Sequence, residues 1–208
     1  MTRLIFIRHG DTQWTAEKRY QGWSDLPLSE KGRKAIRILS REIRHCAVDK
    51  IYASPLKRAR DSAQAIAKIL KQKVHLDQRL KEMRFGRWEG KTAAELIARQ
   101  DPAYLAWLKN RVRVSPGGES YQALLRRVRA FLRDCLKKHP EDTVAVVCHG
   151  GPIRMLLLEC LRLTRAHLFS FRIDPASVTI VSVDSKSGTI RRGVLHVLNQ
   201  TFTGRGIA

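Results

Sequence analysis

Two motifs in this chain combine residue types suited to phosphoryl-transfer chemistry. The apolar run 4–7 leads into Arg8-His9-Gly10, and the apolar run 143–148 leads into His149-Gly150. A guanidinium recognises phosphate through paired hydrogen bonds, and a neutral imidazole can attack phosphorus. The positive charge of Arg8 disfavours imidazolium and therefore favours the nucleophilic form of His9. One such motif alone would equally fit a strand-end histidine with a structural role, but two of them favour a catalytic pair.

The two apolar runs are typical of strands that are buried on both faces, and the glycines after them allow the backbone to turn away. Ligands of open α/β sheets bind at the carboxyl ends of the strands, where both motifs would lie. Further strands are predicted at 50–53, 74–77, 177–183 and 190–198, and helices at 29–43, 55–70, 92–101, 119–138 and 153–161. This alternation predicts a three-layer α/β/α sandwich with a mostly parallel central sheet.

A third cation, Arg58, is a candidate phosphate ligand. Ser54-Pro55 reads as the N-cap and first residue of a helix, which places Arg58 in the first helical turn. The free N–H groups and the helix dipole there favour an anion. A cation in that turn therefore suggests that something negative binds beside it.

The loop after Gly10 supplies further polar candidates. Thr12, Thr15 and Gln21 can each hydrogen-bond a phosphate oxygen or a substrate hydroxyl. For Thr12 and Thr15, a role in ordering the loop is an equally good interpretation.

The segment 82–90 carries two carboxylates, two arginines and two aromatic residues, which is more charged and aromatic side chains than a simple connecting loop would need. Thr92 and Glu95 form a capping-box pattern after it, and a small helical cap insertion is predicted at about 84–116. Its arginines are candidates for substrate specificity: Arg84, Arg87, Arg111 and Arg113. The helix at 119–138 has an apolar stripe, so its arginines at 126, 127, 129 and 133 are expected mostly in water.

Composition limits the functional classes. The chain has 208 residues, 43% of them hydrophobic, and a formal net charge of +21, which suits one domain over 1–208 that attracts anions. Four scattered cysteines and no apolar stretch of signal-peptide or membrane-span length predict a cytoplasmic protein. No zinc-like spacing, membrane contact or nucleic-acid motif is found in the sequence, and the tail from Thr201 is expected to be loose.

Taken together, the motifs resemble the histidine phosphatase superfamily, the group that contains the cofactor-dependent phosphoglycerate mutases. The matching segments occur in the expected order along nearly the whole chain: Arg8-His9-Gly10, Gln21-Gly22, Ser54 to Ala59, Glu82 with Phe85-Gly86, Gly117 to Ser120, and His149 to Pro152.

The resemblance implies the role of each site residue. His9 would become phosphorylated, while Arg8, Arg58 and His149 would hold the phosphoryl oxygens. Glu82 would act as general acid and then as general base, although Glu89 is a rival on spacing alone. The implied binding residues are Thr12, Thr15, Gln21, Gly22, Arg84 and Gly150, with no metal and no cofactor.

Departures from the mutase pattern favour the small phosphatase branch. Mutases carry Asn where Thr15 stands and an Arg-His pair where Met83-Arg84 stands. The resemblance therefore implies hydrolysis of a small phosphorylated metabolite, with alpha-ribazole 5'-phosphate, phosphoserine or phosphoglycerate as candidates. The alternatives are a phosphoglycerate mutase and, in another class, a basic nucleic-acid-binding protein. A homodimer formed through the C-terminal strands is also possible.

Overall fold

A computed structural model describes residues 1–109 and 114–202 of the chain. Its strands are β1 Thr2–Arg8, β2 Lys50–Ala53, β3 Val74–Leu76, β4 Thr143–Cys148, β5 Val178–Lys186 and β6 Thr189–Gln200. Its helices are α1 Gln13–Ala16, α2 Glu30–Glu42, α3 Lys57–Leu70, α4 Ala93–Ala98, α5 Pro102–Leu108, α6 Tyr121–Lys138 and α7 Gly150–Cys160.

The six strands form one mixed sheet in the order β3-β2-β4-β1-β5-β6. The first four strands are parallel, whereas β5 runs antiparallel to β1 and β6 antiparallel to β5. The prediction of a mostly parallel sheet is confirmed for the part that carries both histidine motifs. Strand β5 runs against the other five, and the short turn after it reverses the chain, so β6 pairs with β5 in the antiparallel sense.

Alternation along β1 explains the three layers. Leu4 and Phe6 point into an apolar cluster shared with α6 and α7, whereas Ile5 and Ile7 point into a second cluster shared with α2 and α3. Because side chains alternate between the faces of a strand, a continuous apolar run is needed to fill both layers. The predicted α/β/α sandwich is confirmed.

The segment between β3 and α6 contains α4 and α5. The predicted capping box is present, since Thr92 Oγ1 accepts from the backbone of Glu95 and the Glu95 carboxylate accepts from the backbone of Thr92. Trp88, Leu96 and Tyr104 form a small buried cluster beneath these helices. Two of the predicted specificity residues, Arg111 and Arg113, lie outside the described residues, as does the tail from 203 onward.

Three predicted details are wrong. Helix α3 begins at Lys57 with Leu56 at its N-cap, so Ser54 does not cap it. Helix α7 begins at Gly150, three residues earlier than predicted, because the chain turns into the helix directly after His149. Arg127 is not in water: its side chain is only 17% exposed and pairs with Glu119.

Within residues 1–109 and 114–202, no helix has both the length and the apolar character that a bilayer crossing requires.

We predict that the apolar layer under α6 dominates stability. Phe131 on α6 is 1% exposed, so Phe131→Ala should lower the free energy of unfolding by about 3–5 kcal/mol. Phe169 is 71% exposed, and Phe169→Ala should change the same quantity by less than about 0.5 kcal/mol. Urea denaturation of both variants tests this, and equal losses would contradict the assignment of the core.

Candidate active site

The two histidines meet because their strands are neighbours. In the β1–β4 pair, Arg8 lies opposite Cys148, and the backbone N–H of His9 donates to the Cys148 carbonyl at 3.0 Å. The rings of His9 and His149 face each other edge-on, with their centroids 5.0 Å apart. Both residues are buried, so the parallel pairing places two imidazoles in one enclosed site.

The hydrogen bonds of His9 define which nitrogen can react. Nδ1 lies 2.7 Å from the Gly10 carbonyl, which can only accept, so Nδ1 carries the proton in the neutral ring. Nε2 then holds the lone pair, and Arg58 Nε donates to it at 3.3 Å. Burial, with the positive charges of Arg58 and Arg8, holds the pKa of His9 well below its usual value. The site thus presents a neutral imidazole with Nε2 as the nucleophilic atom.

Arg58 is held beside His9 by backbone carbonyls. The side chain is fully buried, with Nη1 donating to Ser24 at 3.0 Å and Nη2 donating to Gly22 at 2.8 Å. Burial lowers the pKa of Arg58 to about 10, so the group stays cationic at neutral pH. Gly22 therefore supports Arg58 through its carbonyl, and a Cβ there would overlap the Glu89 carboxylate.

Arg8 approaches the site from the end of β1. Its Nη1 donates to the Ile173 carbonyl at 2.6 Å, and its Nε is buried without an acceptor among the described residues. Burial also lowers the pKa of Arg8. Gly150 lies alongside, and an added Cβ there would stand 3.2 Å from Arg154 and 3.9 Å from Arg8.

His149 is fixed by Ser54, the residue that the sequence suggested as a helix cap. His149 Nε2 and Ser54 Oγ are 2.8 Å apart, and the backbone N–H of Leu56 donates weakly to the same hydroxyl. Burial, followed by the charge of Arg58, places the pKa of His149 well below its usual value. The Ser54 hydroxyl thus orients the second imidazole and does not start α3.

Glu82 is brought to the same site by a segment without regular structure. Its Oε1 accepts from the backbone N–H of Met83 at 2.8 Å, and its Oε2 accepts from Gly151 at 3.2 Å. A Cβ on Gly151 would overlap Oε1, so only glycine permits this approach. The carboxylate lines a cavity of about 140 Å³. The wall of this cavity includes Arg8, Phe85, Tyr121, Gly150, Arg154 and Phe169.

The threonines of the first loop order it. Thr12 caps α1, since its Oγ1 accepts from the Thr15 backbone, and it also donates to Gln21 Oε1 at 2.8 Å. Thr15 Oγ1 lies 3.0 Å from the same Thr12 oxygen. Gln21 Nε2 is buried without an acceptor among the described residues and so remains available to a ligand.

Two other candidates lie apart from this group. Arg84 is exposed and stacks over Trp23 at 5.6 Å in an open cleft of about 510 Å³, which Arg87 also lines. Glu89 accepts from the backbone of Trp23, Ser24 and Phe85 and from the Ser24 hydroxyl. A carboxylate engaged in this way joins two loops, so Glu89 is not a competitor of Glu82 on geometry.

Sequence reasoning missed Ser54 as a partner of His149 and Arg154 as part of the cavity wall. Arg154 lies one helical turn after Gly150, a spacing that places both residues on one face of α7 and could have revealed it. A larger cavity of about 460 Å³ near the β5–β6 turn contains none of the predicted site residues.

Comparisons with known proteins show which family the chain belongs to. A profile of the histidine phosphatase superfamily (branch 1) matches residues 4–195. Phosphoserine phosphatase 1 of Hydrogenobacter thermophilus is 33% identical over 202 residues, which cover 97% of this chain and 93% of that protein. The adenosylcobalamin/alpha-ribazole phosphatase of Salmonella typhimurium is 28% identical over 190 residues, with coverages of 91% and 94%.

A solved structure of a mycobacterial glucosyl-3-phosphoglycerate phosphatase with VO3 superimposes with a TM-score of 0.87 at 31% identity. The superposition covers 96% of this chain and 99% of the chain of that phosphatase. The sequence profile thus spans most of the chain, and the relatives align over nearly their whole length. The protein therefore belongs to the histidine phosphatase superfamily (branch 1) and is a phosphatase.

Proposed function

We propose that the protein hydrolyses a small phosphorylated metabolite through a phosphohistidine on His9, with Glu82 as general acid and base. The observation that carries this proposal is the lone pair of His9 Nε2, which accepts a long hydrogen bond of 3.3 Å from Arg58 and lies in a buried site beside Arg8 and His149. In this environment the nucleophile is neutral and the surrounding charge is positive, as attack on an anionic phosphoryl group requires.

In the first step, Nε2 of His9 forms a bond to phosphorus while the bond from phosphorus to the ester oxygen breaks. The protonated Glu82 carboxyl gives its proton to that oxygen, so an alcohol leaves. In the second step, a water molecule attacks phosphorus and passes a proton to the Glu82 carboxylate. The phosphorus–nitrogen bond breaks, and inorganic phosphate leaves with the lone pair of Nε2 restored.

The cationic and amide donors would hold the phosphoryl oxygens. Arg58 and Arg8 supply positive charge, and the buried Nε2 of Gln21 supplies a further donor. His149 adds a ring whose orientation is fixed by Ser54. Thr12 and Thr15 then act through the shape of the loop that carries Gln21.

The leaving group would occupy the cavity that Glu82 lines. The cavity has a volume of about 140 Å³, aromatic walls and one additional cation, Arg154, which favours a small leaving group. Relatives named for phosphoserine, alpha-ribazole phosphate and glucosyl-3-phosphoglycerate define the panel in which the substrate should be sought. The free alcohol as the main product supports hydrolysis, whereas transfer of the phosphoryl group to a second substrate oxygen would support a mutase.

We predict that His9→Ala abolishes phosphate release from p-nitrophenyl phosphate, because it removes the imidazole whose Nε2 lies beside Arg58. The wild-type protein, quenched during turnover, should carry an acid-labile, base-stable phosphoryl group that the variant lacks. The measurement is phosphate release together with mass spectrometry of the quenched protein. Retention of activity by the variant would overturn the mechanism.

Glu82→Gln should lower the reaction rate by an amount that depends on the leaving group of the substrate. An alkyl phosphate needs a proton on its leaving oxygen, so the rate of its first step should fall by roughly 10²–10⁴-fold. The burst of p-nitrophenolate from p-nitrophenyl phosphate should change little, because that anion leaves without a proton. Rapid-quench kinetics of both substrates tests this, and equal losses would point to a different acid.

Both buried imidazoles should remain neutral in mildly acidic solution. Burial opposes protonation, so the pKa values of His9 and His149 lie below 6.5 and the neutral forms persist as pH falls through that value. Nitrogen-15 NMR of the phosphate-free protein at pH 6 should show neutral rings, assigned through the His9→Ala and His149→Ala variants. Midpoints at or above 6.5 would contradict the prediction.

A further inference from the structure

Arg127 is unusual among the arginines of α6 because all five of its N–H groups have acceptors. Nε and Nη2 donate to the two oxygens of the Glu119 carboxylate, each at 2.8 Å. Nη1 donates to the carbonyls of Arg79 and Lys81, each at 2.6 Å, and Nη2 also donates to the carbonyl of Glu82 at 2.9 Å. A guanidinium used in this way fixes the backbone around it, because any shift breaks several charge-assisted bonds at once.

The backbone that Arg127 holds is the segment that ends in the proposed acid. After a short 3-10 turn at Gln78–Leu80, the chain runs through Lys81 and Glu82 without regular structure. Its carbonyls therefore have no strand partners and take their donors from side chains. The Glu82 carbonyl accepts from Arg127 on one side and from Trp23 Nε1, at 2.8 Å, on the other.

Glu119 fixes the chain on the far side of Glu82. Its backbone N–H donates to the Arg84 carbonyl at 2.8 Å, and its carboxylate accepts from the Arg84 backbone at 3.4 Å. The Glu119 side chain is 13% exposed and the Arg127 side chain 17%, so water competes little for this pair. The pair thus contacts residues immediately before and after Met83 without touching the Glu82 carboxylate.

We propose that Arg127 and Glu119 are a positioning pair that aligns the Glu82 carboxyl with the leaving oxygen of the substrate. This inference rests on the proposed role of Glu82 as general acid. Among the residues that the structure describes, the donors to the carboxylate oxygens are two backbone N–H groups, those of Met83 and Gly151. Loss of the pair frees the Glu82 backbone, so the acid moves away from its productive position while the nucleophile on β1 stays where it is.

This arrangement predicts a loss that depends on the leaving group. Misplacement of an acid by about 1 Å can lower a rate by about 10²-fold. Arg127→Met should therefore slow the first step with an alkyl phosphate by roughly 10- to 100-fold. The burst with p-nitrophenyl phosphate should persist, since the leaving phenolate does not use the acid.

The chain offers a matched control on the same helix. Arg129 makes a two-bond ion pair with Glu159, both bonds at 2.7 Å, and contacts none of the residues around Glu82. Arg129→Met replaces the same type of side chain and removes the same charge, and it should leave the rate of the first step with both substrates unchanged. Arg127→Lys keeps the charge but cannot reach three carbonyls and a carboxylate, so it should recover only part of the alkyl phosphate rate.

The experiment measures the rate of the first step by rapid quench, with the alkyl phosphate and with p-nitrophenyl phosphate. The proteins compared are the wild type, the single variants Arg127→Met, Arg127→Lys, Arg129→Met, Glu119→Gln and Glu82→Gln, and the double variant Glu82→Gln/Arg127→Met. A selective loss with alkyl phosphate in Arg127→Met, and no further loss in the double variant, supports the proposal. Thermal melting accompanies each variant, and Glu119→Gln and Arg127→Lys serve as the test if Arg127→Met does not fold.

Two results separate failure of this inference from failure of the mechanism. Equal losses with both substrates in the Arg127 variants, or an additive loss in the double variant, would show a general structural role and overturn the positioning pair. If Glu82→Gln itself shows no dependence on the leaving group, the assignment of the acid fails, and the positioning proposal fails with it.

Discussion

The structure depends on the burial of positive charge beside two neutral imidazoles. Arg58 and Arg8 donate to backbone carbonyls, and within residues 1–109 and 114–202 neither forms an ion pair. A buried cation without a counter-ion is costly, and carbonyl dipoles offset only part of that cost. Burial and the same charges oppose protonation of His9 and His149, so the site combines positive charge with neutral imidazoles.

The sheet supplies the geometry that this electrostatic arrangement needs. The pairing of β1 with β4 sets the two histidines side by side, and the turn of the chain into α7 directly after His149 places Gly150 and Gly151 within the site. Helix α3 brings Arg58 in its first turn, and the loop at 22–24 holds it there through carbonyls. These groups come from different parts of the chain, so the site exists only in the folded protein.

Much of this arrangement follows from local sequence signals. The apolar runs before Arg8 and His149 mark buried strands, and the parallel sheet then requires their ends to meet. Arg58 is recognisable because a cation in the first helical turn opposes the dipole. Glu82, by contrast, lies in a segment without periodicity, and only the family resemblance pointed to it.

Other features depend on tertiary contacts that no spacing encodes. The sequence around Ser54 is typical of a helix N-cap, but its hydroxyl is hydrogen-bonded to His149, 95 residues further along the chain. Arg127 follows the polar pattern of its helix, yet it turns toward the loop at 79–82 because that loop has unpaired carbonyls. The family resemblance implies that Arg84 binds the substrate, but its guanidinium lies over the ring of Trp23, 5.6 Å from the ring centre.

The cavity beside Glu82 has a further consequence for how such enzymes diversify. Its walls include residues of α6, α7 and the chain before β5 together with Arg8 and Phe85, whereas Arg58 is held by α3 and the loop at 22–24. Under the proposed function, substitutions at Tyr121 or Phe169 would change which alcohol is accepted. Variation at these wall positions would then let the same histidine and arginines act on phosphate esters of different alcohols.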